Sequence, residues 1–283
     1  MTNGARRLGM LLFAVTILYG VPAFGQIADL SGEYANLTHE DALERAGGPP
    51  LGDYLGIPLN EAGRMRADSN DVADWGLPEF GCRPHPGPYQ WRAAGGLQIR
   101  KEIDPVSRDL VAYHIQWVRS LDRPIYMDGR PHPTEYAQHS WSGFSTGRFV
   151  GNVLEVITTH LKESYMRRNG AYFSDRAKTT EYIYRRGDIL TILMILEDPV
   201  YLTEPFIQTT NYRYAPNTQL EFFPCTVIDE GLTSRNVPHF LPGANPYLTE
   251  FTGPNGIPPE AARGGAETMY PEYRLKMKKN SNN

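Results

Sequence analysis

One stretch decides the fold of this chain: Lys178-Thr-Thr-Glu-Tyr-Ile-Tyr-Arg-Arg-Gly-Asp-Ile-Leu-Thr-Ile-Leu-Met-Ile-Leu196. β-Branched and aromatic residues are frequent on both sides of Gly187-Asp188. A glycine-containing dipeptide between two such runs is typical of a β-hairpin. The stretch therefore predicts two antiparallel strands, over residues 178–186 and 189–196, joined by a tight turn.

Similar runs lie on both sides of this hairpin, separated by turns that contain Gly, Pro, Asn or Asp. They predict further strands over residues 97–103, 110–118, 123–127, 140–149, 153–160 and 206–214. Nearly all of these strands are joined directly to their neighbours, and a sheet of this size usually closes because closure removes its exposed edges. We therefore expect an all-β fold, a single antiparallel barrel of about eight strands. Such a barrel is either filled by side chains or holds one small ligand.

The rest of the chain divides around this barrel. Residues 1–25 have the features of a signal peptide, because Arg6 and Arg7 precede an apolar run that ends in small residues at Gly25. A retained membrane anchor is the alternative, although the run is short for a spanning helix. We expect a helical and loop segment at 26–96, the barrel at 97–216, and an irregular wrapping segment with a disordered tail at 217–283. The mature protein is expected in the periplasm or outside the cell.

Two cysteines, Cys82 and Cys225, lie on either side of the predicted barrel. Disulfides form and persist in exported proteins, so we expect a bridge that ties the two flanking segments together. Two buried free thiols are the alternative.

Composition and motifs argue against several classes of function. The formal net charge is −4 and the basic run is confined to residues 276–279, which disfavours nucleic acid as a partner. No glycine-rich phosphate loop opens a helix and no Gly-x-Ser-x-Gly elbow is present, so we expect neither a nucleotide cofactor nor serine nucleophile chemistry. No segment after the signal peptide could span a membrane. We expect a protein that needs no cofactor and whose partner is a small molecule.

Several short strings resemble a group of exported bacterial proteins of unassigned function. Those strings are His39-Glu-Asp41, Gly52-Asp-Tyr54, Cys82-Arg-Pro-His-Pro86, Met127-Asp-Gly-Arg-Pro-His-Pro133, Trp141-Ser-Gly-Phe-Ser-Thr-Gly-Arg148, Gly151-Asn-Val-Leu-Glu-Val156 and Thr158-Thr-His160. The resemblance implies a lipocalin-like (calycin-like) barrel over nearly the whole mature chain. It implies no activity and no catalytic residues.

Three histidines are candidate acid/base residues. His132 and His139 lie on one predicted loop, and His160 ends the second strand of the hairpin that follows. Prolines on both sides of His132 stiffen its backbone, and Asp175, in the connection after His160, is the candidate carboxylate partner. The alternatives are a rigid surface turn whose histidine bonds a backbone carbonyl, and a helix cap or surface salt bridge for Asp175. Three histidines could also bind zinc, but their spacing matches no known metal motif, and no metal is predicted.

Four polar residues on the predicted strands are candidate ligand-binding residues: His114, Gln116, Glu181 and Arg213. If their faces point into the barrel, the interior is polar and holds a pair such as Glu181 with Arg213, since an unpaired buried charge is too costly. If the faces point outward, the four residues belong to an ordinary solvated surface.

Three functions follow from these expectations. The first is a binding protein that holds a small, largely apolar molecule in the barrel. The second is a cofactor-independent lyase, isomerase or hydrolase that uses the loop histidines as general acid and base. The third is an envelope or scaffold protein in which the barrel and the wrapping segment form an interface.

Overall fold

The structure is a computed structural model that describes residues 29–37, 49–73, 83–92, 95–117, 122–218, 220 and 240–280. The predicted signal peptide, Cys82, Cys225 and a helix predicted at 37–46 lie outside the described residues, apart from residue 37. The strands are β1 (Gly32–Asn36), β2 (Leu97–Ile103), β3 (Leu110–Trp117), β4 (Arg123–Tyr126), β5 (Phe144–Val150), β6 (Val153–Thr159), β7 (Ser164–Tyr165), β8 (Tyr172–Phe173), β9 (Lys178–Arg186), β10 (Ile189–Glu197) and β11 (Phe206–Tyr214). The α-helices are α1 (Glu61–Asp68), α2 (Gly87–Gln90), α3 (Pro259–Ala262) and α4 (Pro271–Asn280).

Nine strands form a closed barrel in the order β1-β11-β10-β9-β6-β5-β4-β3-β2. The all-β barrel fold is therefore confirmed, with nine strands in place of about eight. The ninth is β1, which pairs with β11 on one side and β2 on the other and so closes the barrel from outside the predicted 97–216 range. Its five residues, Gly-Glu-Tyr-Ala-Asn, are too short to carry a clear alternation.

One strand pair, β4 with β5, is parallel, so the barrel is mixed and not purely antiparallel. Parallel neighbours cannot be joined by a tight turn and need a crossover connection. Residues 127–143 supply that connection, and they include His132 and His139. The parallel pair is therefore the reason that a long histidine-bearing loop exists at this end of the barrel.

The barrel interior follows the alternation of the strands. Tyr113, Ile115 and Trp117 of β3 lie on one face of the strand and point inward. The interior also takes a side chain from outside the sheet, because Trp91, which follows α2, is 1 % exposed and donates a hydrogen bond to Glu181 of β9. Side chains therefore fill the part of the barrel interior around Trp91 and Glu181.

The flanking segments pack on one another outside the barrel. Asn60 caps α1 by accepting a hydrogen bond from the backbone of Gly63. Asp68 at the end of α1 accepts hydrogen bonds from Tyr54 and Arg263, which ties the C-terminal segment to this helix. Residues 271–280 form α4, which includes the start of the tail that was predicted to be disordered. No helix in the described part of the chain is long and apolar enough to cross a membrane.

Candidate histidine cleft

An open cleft lies on the outer wall of the barrel where β5, β6 and β9 reach the same end. It has a volume of about 550 Å³, which is within the range of small-molecule sites. The four predicted catalytic residues all line it, and so do several residues of the surrounding loops: His132, Pro133, Glu135, Tyr136, His139, Thr159, His160, Asp175, Arg176, Ala177 and Lys178. The four predicted residues extend over 43 positions of the sequence, from His132 to Asp175, and the fold brings them to one cleft.

The loop between β4 and β5 is fixed to the end of β6 by backbone hydrogen bonds. The amide of Ser140 donates to the carbonyl of His160 at 2.9 Å, and the amide of Lys162 donates to the carbonyl of Ser140 at 2.9 Å. Gly143 makes the close approach possible, because its φ is +69° and a Cβ there would lie 2.6 Å from the carbonyl oxygen of Thr159. The loop histidines are therefore positioned by the sheet and not by the loop alone.

Among the described residues, His139 is hydrogen-bonded through a single ring nitrogen. Its Nδ1 lies 2.9 Å from the carbonyl oxygen of Leu161, and a carbonyl can only accept a hydrogen bond, so Nδ1 carries the proton. In the neutral ring, Nε2 then carries no proton and has a lone pair that can accept one. The ring of His139 packs edge-on against that of His160, with 5.2 Å between the ring centroids. This is the arrangement of a positioned base.

His160 adopts a left-handed backbone conformation, with φ at +57°. Histidine is one of the residues that tolerates this region, and such conformations concentrate at functional sites. The turn brings the His160 ring back over its own neighbour, with Nδ1 2.7 Å from the hydroxyl oxygen of Thr159. The other nitrogen, Nε2, lies 2.8 Å from the carbonyl oxygen of Thr134.

A continuous chain of hydrogen bonds joins His160 to His132. The hydroxyl oxygen of Thr159 also lies 2.7 Å from Nδ1 of His132, and Nε2 of His132 lies 2.8 Å from the hydroxyl oxygen of Thr146. The carbonyl of Thr134 sets the direction of the chain, because it must accept from His160 Nε2. With neutral rings, Thr159 then donates to His160, His132 Nδ1 donates to Thr159, and Thr146 donates to His132 Nε2.

The pKa of His132 is below its usual value. Burial is the larger cause, since it disfavours the charged ring, and electrostatic repulsion from His160 adds to it. The lowered pKa favours the neutral ring of His132, which is the form assumed in the chain of hydrogen bonds.

The opposite wall of the cleft carries charge. Asp175 and Arg176 are exposed there, and Ser174 beside them is anchored by two hydrogen bonds of 2.7 Å to the carboxylate of Asp198. Lys178 forms an ion pair with Glu197 at 3.4 Å. Asp175 shares the cleft with the histidines, but within the described residues it makes no hydrogen bond to any of them. The predicted Asp–His pair is thus not formed in this structure.

The histidines do not form a recognisable metal site. Among the described residues, no group of three or more His, Cys, Asp or Glu side chains is arranged to hold a metal ion. Each ring is instead committed to a hydroxyl or carbonyl oxygen through at least one nitrogen.

The four predicted ligand-binding residues do not lie together. His114, Gln116 and Arg213 are on the outer face of the barrel, which matches the second of the two alternatives, an ordinary solvated surface. Inner positions on β3 and β11 are taken by their sequence neighbours, such as Ile115 and Tyr212. His114 instead lies between two carboxylates, 2.6 Å from Asp122 and 2.9 Å from Glu102.

Glu181 does point inward and is fully buried, but its partner is Arg123 and not Arg213. The two side chains are each 1 % exposed and form a double hydrogen bond, at 2.9 and 3.2 Å. Arg123 also donates to Ser145 and Thr158, at 3.1 and 2.8 Å. The carboxylate of Glu181 is thus occupied within the protein, which leaves it little capacity for a ligand.

Two features of these sites were missed from the sequence. Arg123 lies on a four-residue strand, where alternation with Ile125 was the only signal that its side chain points inward. Thr159 is part of the string Thr158-Thr-His160, and its place on the outer face follows from the alternation of β6, but nothing in the sequence shows that His132 approaches it.

No protein-family model, no curated protein and no solved structure matches this chain significantly.

Proposed function

We propose that this protein is a cofactor-independent enzyme that moves a proton on a small molecule bound in the histidine cleft. The observation that carries the proposal is the state of His139, whose Nδ1 is fixed on a carbonyl while Nε2 keeps its lone pair beside two further histidines. Histidine changes charge near neutral pH and is the commonest general base. The reaction class is isomerisation, elimination or hydrolysis.

The charged wall supports a polar substrate. Asp175, Arg176 and Lys178 face the same cleft as the histidines, and Tyr136 at its rim is 89 % exposed. Charged and hydroxyl groups of a substrate would meet the wall, while an apolar or ring face would meet Tyr136. A small oxygen-rich molecule with an acidic C–H bond fits this set of side chains best.

The proposal also includes the place of action and the kind of protein. We infer from the charged start, the apolar run and the small residues at Gly25 that the chain is exported to the periplasm or beyond, and that Cys82 and Cys225 form a disulfide there. The calycin-like barrel is compatible with the exported bacterial group that the sequence resembles.

A second candidate is the binding of a small, largely apolar molecule inside the barrel. The inner face supports it, because most of its side chains are apolar, among them Ile183, Leu190 and Ile192. The buried Arg123–Glu181 pair with Trp91 counts against it, since these side chains occupy the barrel at their own level. Native mass spectrometry of the mature protein tests it directly. A retained apolar adduct would favour binding, and bare protein would count against a tight ligand.

Solvent exchange tests the proton-transfer function. Mature protein in D2O is mixed with a panel of small keto acids, hydroxy acids and aldoses, and proton NMR follows the loss of C–H signals. We expect exchange of at least one substrate, and a loss of about 100-fold or more in the variant His139→Asn. Asparagine can keep the donor to the Leu161 carbonyl but has no basic nitrogen.

The matched control is His114→Gln, which changes a histidine on the outer barrel wall away from the cleft. It is expected to leave the exchange rate unchanged. Exchange that persists at the full rate in His139→Asn, or no exchange across the panel, would count against the proposed function.

A further inference from the structure

We infer that Thr159 is a positioning residue that joins His132 and His160 into one proton-accepting unit, which takes up a single proton between the two rings. The inference assigns a role within the proposed site and, as far as catalysis is concerned, rests on the proposed function. Its physical basis is the position of one hydroxyl oxygen 2.7 Å from Nδ1 of both rings.

The backbone carbonyl of Thr134 makes the chain directional. It accepts from His160 Nε2 at 2.8 Å, so the resting form has its protons on His160 Nε2, Thr159 Oγ1, His132 Nδ1 and Thr146 Oγ1. Every donor in the chain then meets one acceptor. No other assignment of neutral rings satisfies all four contacts.

Uptake of a proton reverses the middle of the chain without breaking it. A proton binds His132 at Nε2 and forms a new N–H bond there, and the Thr146 hydroxyl, which donated to Nε2, rotates so that its oxygen accepts from this N–H. The Nδ1 proton of His132 passes to the Thr159 oxygen, and the former hydroxyl proton of Thr159 passes to Nδ1 of His160. His132 ends as the neutral Nε2–H form, and the positive charge ends on His160.

The charge is better placed on His160 than on His132. In His160 both nitrogens then have acceptors, the Thr159 oxygen and the Thr134 carbonyl. His132 is the more costly place for charge, because it packs against the ring of Phe144 at a centroid distance of 5.2 Å. The proton enters and leaves at His132, whereas the positive charge is held on His160.

Addition of a second proton is disfavoured. Two imidazolium rings bound to one oxygen would hold their charges about 5 Å apart, which costs electrostatic energy in a partly buried site. The Thr159 hydroxyl would also lose its acceptor on His160. Ionisable groups from both neighbouring segments face this pair, and they are Glu135 and His139 from the loop, and Asp175, Arg176 and Lys178 from the opposite wall.

For the proposed enzyme, the chain and His139 together provide a general acid and a general base in one cleft. His139 supplies the lone pair that accepts a proton, and the chain in its protonated form supplies one from His132 Nε2. No hydrogen bond joins His139 to the chain within the described residues, although its ring packs against that of His160 at a centroid distance of 5.2 Å. A reaction that removes a proton at one carbon and returns one at a neighbouring atom needs this pairing.

The test is a histidine NMR titration of the ¹⁵N-labelled full-length mature protein from pH 4.5 to 9. At pH 8 we expect His132 as the Nδ1–H tautomer and His160 as the Nε2–H tautomer. On acidification, each ring should report the same two steps, as interacting sites do. The variant Thr159→Val should give one independent step for each ring, with midpoints at least half a pH unit apart, and Thr159→Ser should restore the shared steps.

Thr146→Val is the matched control, since it removes a hydroxyl from the chain but leaves the bridge between the rings, so the shared steps should persist. The inference is overturned if the wild-type rings titrate independently, if Thr159→Val keeps the shared steps, or if His160 is protonated on Nδ1 at pH 8. The tautomers and the serine variant decide the question even if the valine variant does not fold.

The NMR titration of the histidines can be measured without any substrate turnover. Shared titration without any substrate exchange in D2O would count against the proposed function and leave the role of Thr159 standing. Substrate exchange with independent titrations would do the reverse.

Discussion

At the residue scale, the interior of the barrel depends on one buried ion pair. Arg123 and Glu181 are each 1 % exposed, and their hydrogen bonds extend to Trp91, Ser145 and Thr158. Removing one member of a buried pair leaves an uncompensated charge, which costs much more than the pair itself contributes.

Glu181→Ala is therefore expected to lower the free energy of unfolding by about 3–5 kcal/mol in urea titrations, because Arg123 stays buried without its carboxylate. The double variant Arg123→Met/Glu181→Leu should recover much of this loss, since it removes both charges. Arg148 and Glu155 form a pair on the surface at 2.7 Å, with Arg148 73 % exposed. Glu155→Ala should cost less than about 1 kcal/mol. Equal losses in the free energy of unfolding for Glu181→Ala and Glu155→Ala would show that burial does not set the cost of removing the carboxylate.

His114 shows the opposite situation, a histidine between two carboxylates on the outer wall. Burial lowers the pKa of His114, but hydrogen bonds and charges from Glu102 and Asp122 outweigh that effect, and the net result is a raised pKa. A raised folded-state pKa means that the charged ring stabilises the fold at low pH. The contribution is complete below the unfolded pKa of about 6.5 and is lost as the pH rises through the folded value.

Urea titrations at pH 5.5 and 8.5 check this sign. Wild type should be more stable than His114→Gln by about 0.5–1 kcal/mol at pH 5.5, and the difference should shrink at pH 8.5. The gain is small because both carboxylates are largely exposed, at 52 % and 39 %. A difference that grows with pH would show that the neutral ring is the form that the fold prefers.

At the scale of elements, the contact between the β4–β5 loop and the end of β6 shapes the cleft. Gly143 has a left-handed conformation, and a Cβ there would lie 2.6 Å from the backbone oxygen of Thr159. Gly187 in the β9–β10 turn has a similar conformation, with φ at +58° and no atom within 4 Å of its Cβ position. Alanine at Gly187 would introduce backbone strain alone, whereas alanine at Gly143 would introduce both backbone strain and a steric clash.

Gly187→Ala is expected to cost about 1 kcal/mol, the penalty for alanine in the left-handed region. Gly143→Ala should cost at least twice as much, because the methyl group also pushes the end of β6 away from the loop. The same change should shift the NMR signals of His132 and His160, whereas Gly187→Ala should not. Equal stability losses with unchanged histidine signals in both variants would show that the loop adapts freely.

At the scale of the whole molecule, hydrogen bonds attach the C-terminal segment to α1 and the residues that follow it. Asp68 binds the guanidinium of Arg263, and Asn245 donates to the carbonyls of Asp68 and Asn70 at 2.9 and 3.0 Å. Residues around Asp68 therefore decide whether residues 240–280 stay in place.

Asp68→Asn is expected to weaken this attachment without unfolding the barrel, since it replaces a charge-assisted hydrogen bond by a neutral one. Hydrogen exchange should become at least several-fold faster in residues 259–277 and stay unchanged in the β9–β10 hairpin. Glu163→Gln, which alters an exposed ion pair with Arg66 on the same helix, is the control and should change neither region. Uniformly faster exchange over the barrel would mean that the segment is part of the cooperative unit.

The sequence by itself determined the strands and most of the barrel. Seven predicted strands match β2, β3, β4, β6, β9, β10 and β11 within one residue at either end, because alternation and turn residues act locally. The role of β1 in closing the barrel and the parallel pairing of β4 with β5 could not be predicted, since both depend on which distant strand is the neighbour. The polar grouping of His132, His139, His160 and Asp175 at one end was predicted from the order of the strands.

Only the tertiary structure decided what each of these side chains touches. Alternation divides a strand into two faces but does not say which is inside, and this is why Arg213 was expected opposite Glu181 while Arg123 occupies that place. The same holds for Thr159, whose hydroxyl bridges two histidines only because a 17-residue loop, 127–143, is folded back on the end of β6. Local chemistry therefore fixes the elements, whereas hydrogen bonds between residues far apart in sequence fix the site.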